Sequence, residues 1–177
     1  MKREELINLL QTNGIDPSRF GIGTTKSLDD LVKEIETGET KISQRVVREV
    51  SVVTINVFAD VDGVRYRLVE VRQEFKDGRE RTRTQLSTSI QEKKHPGETS
   101  KEAIDRGLKE EIGVARFTHL SGVLTFVEVL ESPSFPGVLT IYRLERVDVL
   151  LDPSEYKPTY KETEADLTSF FEWVLST

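Results

Sequence analysis

The chain has 177 residues and no cysteine, is 36% hydrophobic and 32% charged, and carries a formal net charge of -6 at pH 7. Those values are expected of a soluble globular protein able to bury a sizeable core; the missing cysteines exclude disulfides and thiolate metal sites, and the negative charge argues against non-specific binding of nucleic acid, although a local basic patch stays open. The start MKREELINLL lacks the apolar centre of a signal peptide and no apolar run is long enough to span a bilayer, so a cytoplasmic protein without a membrane partner is expected.

Leu6, Ile7, Leu9 and Leu10 recur with helical spacing over residues 2–12, and Asn13-Gly14 ends that pattern. A second helix is expected after Ser27. Ser27 with Asp30 has the form of a capping box, Leu28, Leu31, Val32 and Ile35 make its stripe, and Gly38 closes it. Residues 1–40 therefore read as a small helical appendage and residues 41–177 as the main domain. The Val-rich run after residue 42 suits a pleated surface. Asp62-Gly63 marks a hairpin turn, Lys76-Asp77-Gly78 marks another, and a third strand is expected to run to about Ile90. A helix over roughly 100–112, strands near 120–130 and 137–150, and a strand or helix in KETEADLTSFFEWVL complete the order. That order predicts an α/β (α+β) fold with a largely antiparallel or mixed β-sheet.

Residues 92–114, EKKHPGETSKEAIDRGLKEEIGV, carry the most information. Thr99 and Glu102 form a capping box, and Gly113 stands where a left-handed C-terminal cap is expected. At about 100° per residue, Ile104, Leu108 and Ile112 make one apolar stripe. Glu111 falls about 20° from Ile104, on the oily side. A carboxylate there is costly unless a cation or hydrogen-bond donors compensate it. The bland alternative is a solvated Glu/Lys helix whose Glu111 bends out to water.

This segment resembles the signature of Nudix hydrolases: Gly, five residues, Glu, seven residues, Arg-Glu, an aliphatic residue, any residue, Glu-Glu, any residue, Gly, aliphatic. Glu98, Arg106, Leu108, Glu110, Glu111, Gly113 and Val114 fall in register, and Pro96-Gly97-Glu98-Thr99 and Ala103 are also similar to the family. The resemblance implies a Nudix-like fold over residues 41–177 and a magnesium (or manganese) ion that neutralises a diphosphate and activates water. It implies Glu110 and Glu111 as metal ligands, with Glu98 and Arg106 in catalytic support, Arg106 orienting a glutamate of which Glu98 is the natural candidate. It also implies a nucleotide-like small molecule as partner and a homodimer as a common assembly.

Two positions depart from the pattern. Glu92 stands where the first Gly is expected, and Gly107 stands where the Glu after Arg is expected. Gly107 lies three residues before Glu110 and four before Glu111, so a carboxylate is missing from one shared face. Glu92 either crowds its turn or returns a carboxylate to the site. Glu128, Glu131, Glu162 and Glu164 are substitutes from outside the signature. Three readings follow: a divergent hydrolase acting on a nucleoside diphosphate linked to another group, an inactive module that binds a nucleotide or a protein, and a structural partner domain that docks through its N-terminal helices.

Other residues invite functional readings, each with a plainer rival. Arg79, Arg81 and Arg83 share one strand face, as do Arg65 and Arg67, and together could grip phosphates; a solvated face paired with acidic neighbours is favoured. His95 and His119 stand alone, with no His/Cys cluster for zinc. GIGTTKS at residues 21–27 fails the spacing of a phosphate loop. Phe170, Phe171 and Trp173 fit a core better than a base-stacking platform.

Overall fold

The computed structural model describes residues 1–82 and 89–176. The chain runs through α1 (Arg3–Thr12), α2 (Leu28–Glu36), β1 (Thr40–Ile42), β2 (Val47–Val61), β3 (Val64–Phe75), β4 (Glu80–Thr82), β5 (Ile90–Lys93), α3 (Ser100–Ile112), β6 (Phe117–His119), β7 (Leu124–Glu131), β8 (Leu139–Leu151), β9 (Thr159–Thr163) and β10 (Leu167–Leu175). The fold is α+β, with a mixed β-sheet and three α-helices among the described residues, as the order of elements predicts. No helix among them is long and apolar enough to cross a membrane. By contacts, the chain divides into one unit of Met1–Val52, Lys93–Glu98 and Thr125–Leu144, and another of Val53–Glu92, Thr99–Leu124 and Glu145–Thr177.

In the first unit, both helices form where local chemistry directs. The Ser27 hydroxyl accepts the Asp30 N–H at 3.2 Å, and the Asp30 carboxylate accepts the Ser27 N–H at 2.8 Å. That reciprocal pair satisfies two donors that a helix start would otherwise leave open. Leu6 and Leu10 of α1, with Leu28 and Leu31 of α2, build a core with Phe20, Val46, Phe135 and Val138. Each fully buried side chain of this size contributes about 1.5–3 kcal/mol of hydrophobic stabilisation. β1 pairs antiparallel with the start of β2, from Thr40 opposite Val50 to Ile42 opposite Arg48.

One buried charge cluster ties α2 to those strands. Arg48 Nη2 donates to Glu34 Oε2 at 2.6 Å, Lys26 Nζ to Glu34 Oε1 at 2.9 Å, and the Thr40 hydroxyl to Glu34 Oε2 at 2.9 Å. Lys93 donates to the same carboxylate. Burial pushes the Glu34 carboxyl up, but Lys93 and Lys26 override it and hold the pKa down at about 2.

The strand order is β6-β8-β2-β3-β10-β9, with β4 on β3 and β5 on β2. The β2–β3 hairpin turns at Asp62-Gly63, where both residues have positive φ, 52° and 78°. This matches the turn expected from the sequence. α3 lays Ala103, Ile104, Leu108 and Ile112 into a core with Val53, Ile55, Val57, Leu68, Val147 and Val149. The terminal stretch forms two strands, β9 and β10, rather than a helix. Phe171 enters the core and Trp173 packs against it.

One strand expectation is corrected. Glu80–Thr82 pairs with β3, whereas Ile90–Lys93 is a separate strand paired with β2. The turn signal at Lys76-Asp77-Gly78 is local, but which neighbour a later apolar residue joins is decided by the sheet. The intervening run, Arg83 included, lies outside the described residues.

Candidate functional site

α3 is capped at both ends by its own sequence. The Thr99 hydroxyl accepts the Glu102 N–H at 3.3 Å, and the Glu102 carboxylate accepts the Thr99 N–H at 2.8 Å. Gly113 closes the helix in the left-handed region at φ 68°. With the ends set and Ile104, Leu108 and Ile112 facing the core, the rotational phase of the helix is determined. Glu111 is thereby brought to the edge of the apolar side, where it is half-buried.

Glu111 does not bend away alone. β9 contributes Glu162 and the turn after β9 contributes Glu164, and one carboxylate oxygen from each of the three lies within 4.8 Å of the others. The β9–β10 turn is closed by the Glu164 N–H donating to Leu167 O at 2.9 Å. Burial, then the carboxylates of Glu162 and Glu92, push the Glu111 pKa up to about 9. Burial also raises Glu162, helped by the charge of Glu164. Like charges held this close cannot all ionise without a counter-charge, so a proton or a cation must be shared among them.

Arg106 and Glu92 complete the cluster. Arg106 Nη1 donates to Glu92 Oε2 at 2.7 Å and to Glu110 Oε2 at 3.2 Å. The Glu92 side chain is 13% exposed and that of Glu110 58% exposed. Burial raises the Glu92 carboxyl, against the pull of Arg106. A Cβ placed on Gly107 would lie 2.5 Å from Glu92 Cγ and 3.4 Å from Ile55 Cδ1. The space that the sequence leaves open at residue 107 is thus filled by the side chain of Glu92.

The donor set is made of carboxylate oxygens, hard ligands that suit Mg²⁺ or Mn²⁺ and not a soft metal. The residues present therefore fit the ion that the signature implies.

Glu98, in the first unit, accepts the His95 N–H at 2.8 Å and lines a cleft of about 390 Å³ with Lys41, Lys94, His95 and Arg143. Glu162 and Glu164 join Glu111, while Glu131 accepts the Gly137 N–H at 2.7 Å and Glu128 is exposed on β7. Arg65 forms an ion pair with Asp60 at 2.8 Å and Arg79 with Asp77 at 2.7 Å, the solvated pairing favoured from the sequence. His119 packs edge-on against Phe117, with ring centroids 5.5 Å apart. The loop at residues 21–27 closes on itself through Gly21 N–H to Lys26 O at 2.9 Å, and Lys26 turns its ammonium to Glu34. Phe170 lies under the Arg72 guanidinium at 4.0 Å. The sequence marks Glu92 as one departure from the signature but does not give its partner in space. The available signal was that its two departures are complementary, a carboxylate gained at 92 and one lost at 107.

No family model matches the chain, and no curated protein matches it. Among solved structures it is similar to an Ap4A hydrolase from C. elegans, at 15% identity over 71% of this chain and 79% of that one, with a TM-score of 0.38. It is also similar to the NUDIX domain of NrtR from Shewanella oneidensis, solved with ADP ribose, at 12% identity over 72% and 73% of the two chains, with a TM-score of 0.41. DR0079 from Deinococcus radiodurans follows at 16% identity, 71% and 66% coverage and a TM-score of 0.36. With scores this low, the chemistry rests on the residues of this chain.

Proposed function

We propose that the chain is a divergent Nudix-type hydrolase that cleaves a phosphoanhydride in a nucleoside diphosphate-linked substrate with a divalent metal. The observation that supports this most is the convergence of Glu111, Glu162 and Glu164, with oxygens within 4.8 Å, at the end of a helix that resembles the Nudix signature. Glu111, Glu162 and Glu164 would hold the ion, with Glu110 beside them as a further ligand. When bound, Mg²⁺ or Mn²⁺ would neutralise a diphosphate and activate water for attack on phosphorus.

The protein's own groups prepare that site. Arg106 orients Glu92 and Glu110 and offsets part of their charge. Glu111 holds a proton in the absence of a cation, because burial and its acidic neighbours disfavour its charge. Glu98 braces the loop before α3 by accepting the His95 N–H. The rival reading, an inactive module that binds a nucleotide or protein, draws its support from Gly107.

The test is turnover of ADP-ribose and Ap4A with and without Mg²⁺ or Mn²⁺. Metal-dependent hydrolysis is expected, and Glu111→Gln should lower it about a hundredfold or more, since residues that only orient a metal ligand already cost about 10–100-fold. Nucleotide binding with no hydrolysis of either compound would favour the binding module instead.

A further inference from the structure

Gly107 is buried inside α3, where glycine costs about 0.5–1 kcal/mol relative to alanine. Its φ is not in the left-handed region, so the backbone conformation does not call for glycine there. The side-chain space does. A Cβ at residue 107 would meet Glu92 Cγ at 2.5 Å and Glu92 Cδ at 3.5 Å, so a larger residue at 107 and the present Glu92 exclude one another.

We infer that Glu92, on β5, supplies to the metal the carboxylate that is absent at residue 107, and that residue 107 is glycine to make room for it. This rests on the metal-dependent reading of the same site. Three observations carry it. The carboxyl of Glu92 lies near enough to that of Glu111 for each to act on the other, beside the Glu111, Glu162 and Glu164 trio. Arg106 Nη1, at 2.7 Å, anchors Glu92 Oε2 and so limits the rotamers of a side chain only 13% exposed. The two residues that depart from the signature are far apart along the sequence yet touch in space. One carboxylate is lost and one gained within a single side-chain volume, so the number of acidic groups on this face is unchanged.

A plain alternative is that Glu92 is only the ion-pair partner of Arg106 and a filler over the glycine. The two ideas differ in what moving the carboxylate back to the helix does. The experiment measures Mn²⁺ affinity by calorimetry, and thermal unfolding without metal, on the full chain. The variants are E92Q, E92G, G107E, E111Q and the exchange E92G/G107E. E92Q should fold like the parent and bind Mn²⁺ at least about tenfold more weakly, about 1.4 kcal/mol. G107E alone should lower the unfolding midpoint by about 2–10 °C, because two side chains compete for one space. E92G/G107E should recover the midpoint lost in G107E and bind Mn²⁺ within about threefold of the parent, unlike E92G.

Mn²⁺ binding abolished by E111Q but untouched by E92Q would overturn this inference while leaving the metal site in place. An exchange variant that folds yet binds as weakly as E92G would also overturn it. A parent protein that takes up no Mn²⁺ would overturn the metal-dependent reading, and the inference with it. If the exchange variant fails to fold, the affinity of E92Q decides.

Discussion

Arg48 Nη2 lies 2.6 Å from Glu34 Oε2, and the two side chains are 3% and 6% exposed. The Arg48 guanidinium also lies over the Phe135 ring, 5.2 Å from its centroid, so this ion pair is built into the apolar core of its unit. Removing one partner of a buried pair leaves the other charge uncompensated. Glu34→Ala is expected to destabilise the protein by about 3–5 kcal/mol in urea unfolding. A loss under about 1 kcal/mol would mean that water reaches Arg48 and Lys93 freely.

The same carboxylate sets an acid limit on stability. Its folded pKa, about 2, lies below the ordinary 4.5. A depressed carboxyl stabilises the fold above its unfolded pKa, and that contribution is lost as pH falls through the window from about 4.5 to about 2. The size is on the order of 3 kcal/mol, from about 2.5 pH units at about 1.4 kcal/mol each. The difference in unfolding free energy between the parent and Glu34→Gln, measured from pH 6 to pH 2, should shrink across that window. A difference that stays constant would remove Glu34 as the titrating group.

Gly38 has φ +79°, and a Cβ there would lie 2.5 Å from Pro96 Cγ. Backbone and contact both disfavour a side chain, so Gly38→Ala should cost about 1–3 kcal/mol. Combining it with Pro96→Ala should return part of the loss, because the steric component disappears and the backbone component stays. Strict additivity of the two changes would show that Pro96 does not press on residue 38.

The acidic cluster should trade stability for metal binding. Glu111 sits against other carboxylates, Glu162 and Glu164 with oxygens within 4.8 Å, in a half-buried setting, an arrangement costly without a cation. In chelator, Glu111→Gln should therefore unfold at a higher temperature than the parent at pH 7.5, while the gain on adding Mn²⁺ should vanish in the variant. A lower midpoint in chelator would show that the carboxyl is a net stabiliser and not a strained ligand.

The helix that carries the site was legible in the sequence. Thr99, Glu102 and Gly113 act through hydrogen bonds within a turn or two, and the stripe of Ile104, Leu108 and Ile112 sets which side faces inward. Those are local effects, so the unusual position of Glu111 could be read from spacing alone. The Asp62-Gly63 hairpin was legible for the same reason. The partners of Glu111 were not. Glu131 and Glu162 look alike as sequence, yet one accepts the Gly137 N–H at a loop and the other meets Glu111. That choice depends on strand order and register, which are set by packing across the sheet, and a slip of one residue would turn Glu162 to the opposite face. The contact between Glu92 and Gly107 has the same origin. The sequence by itself determined the capped helix and the two departures from its signature; only the tertiary structure, by setting β5 beside α3, decided that those departures occupy one space.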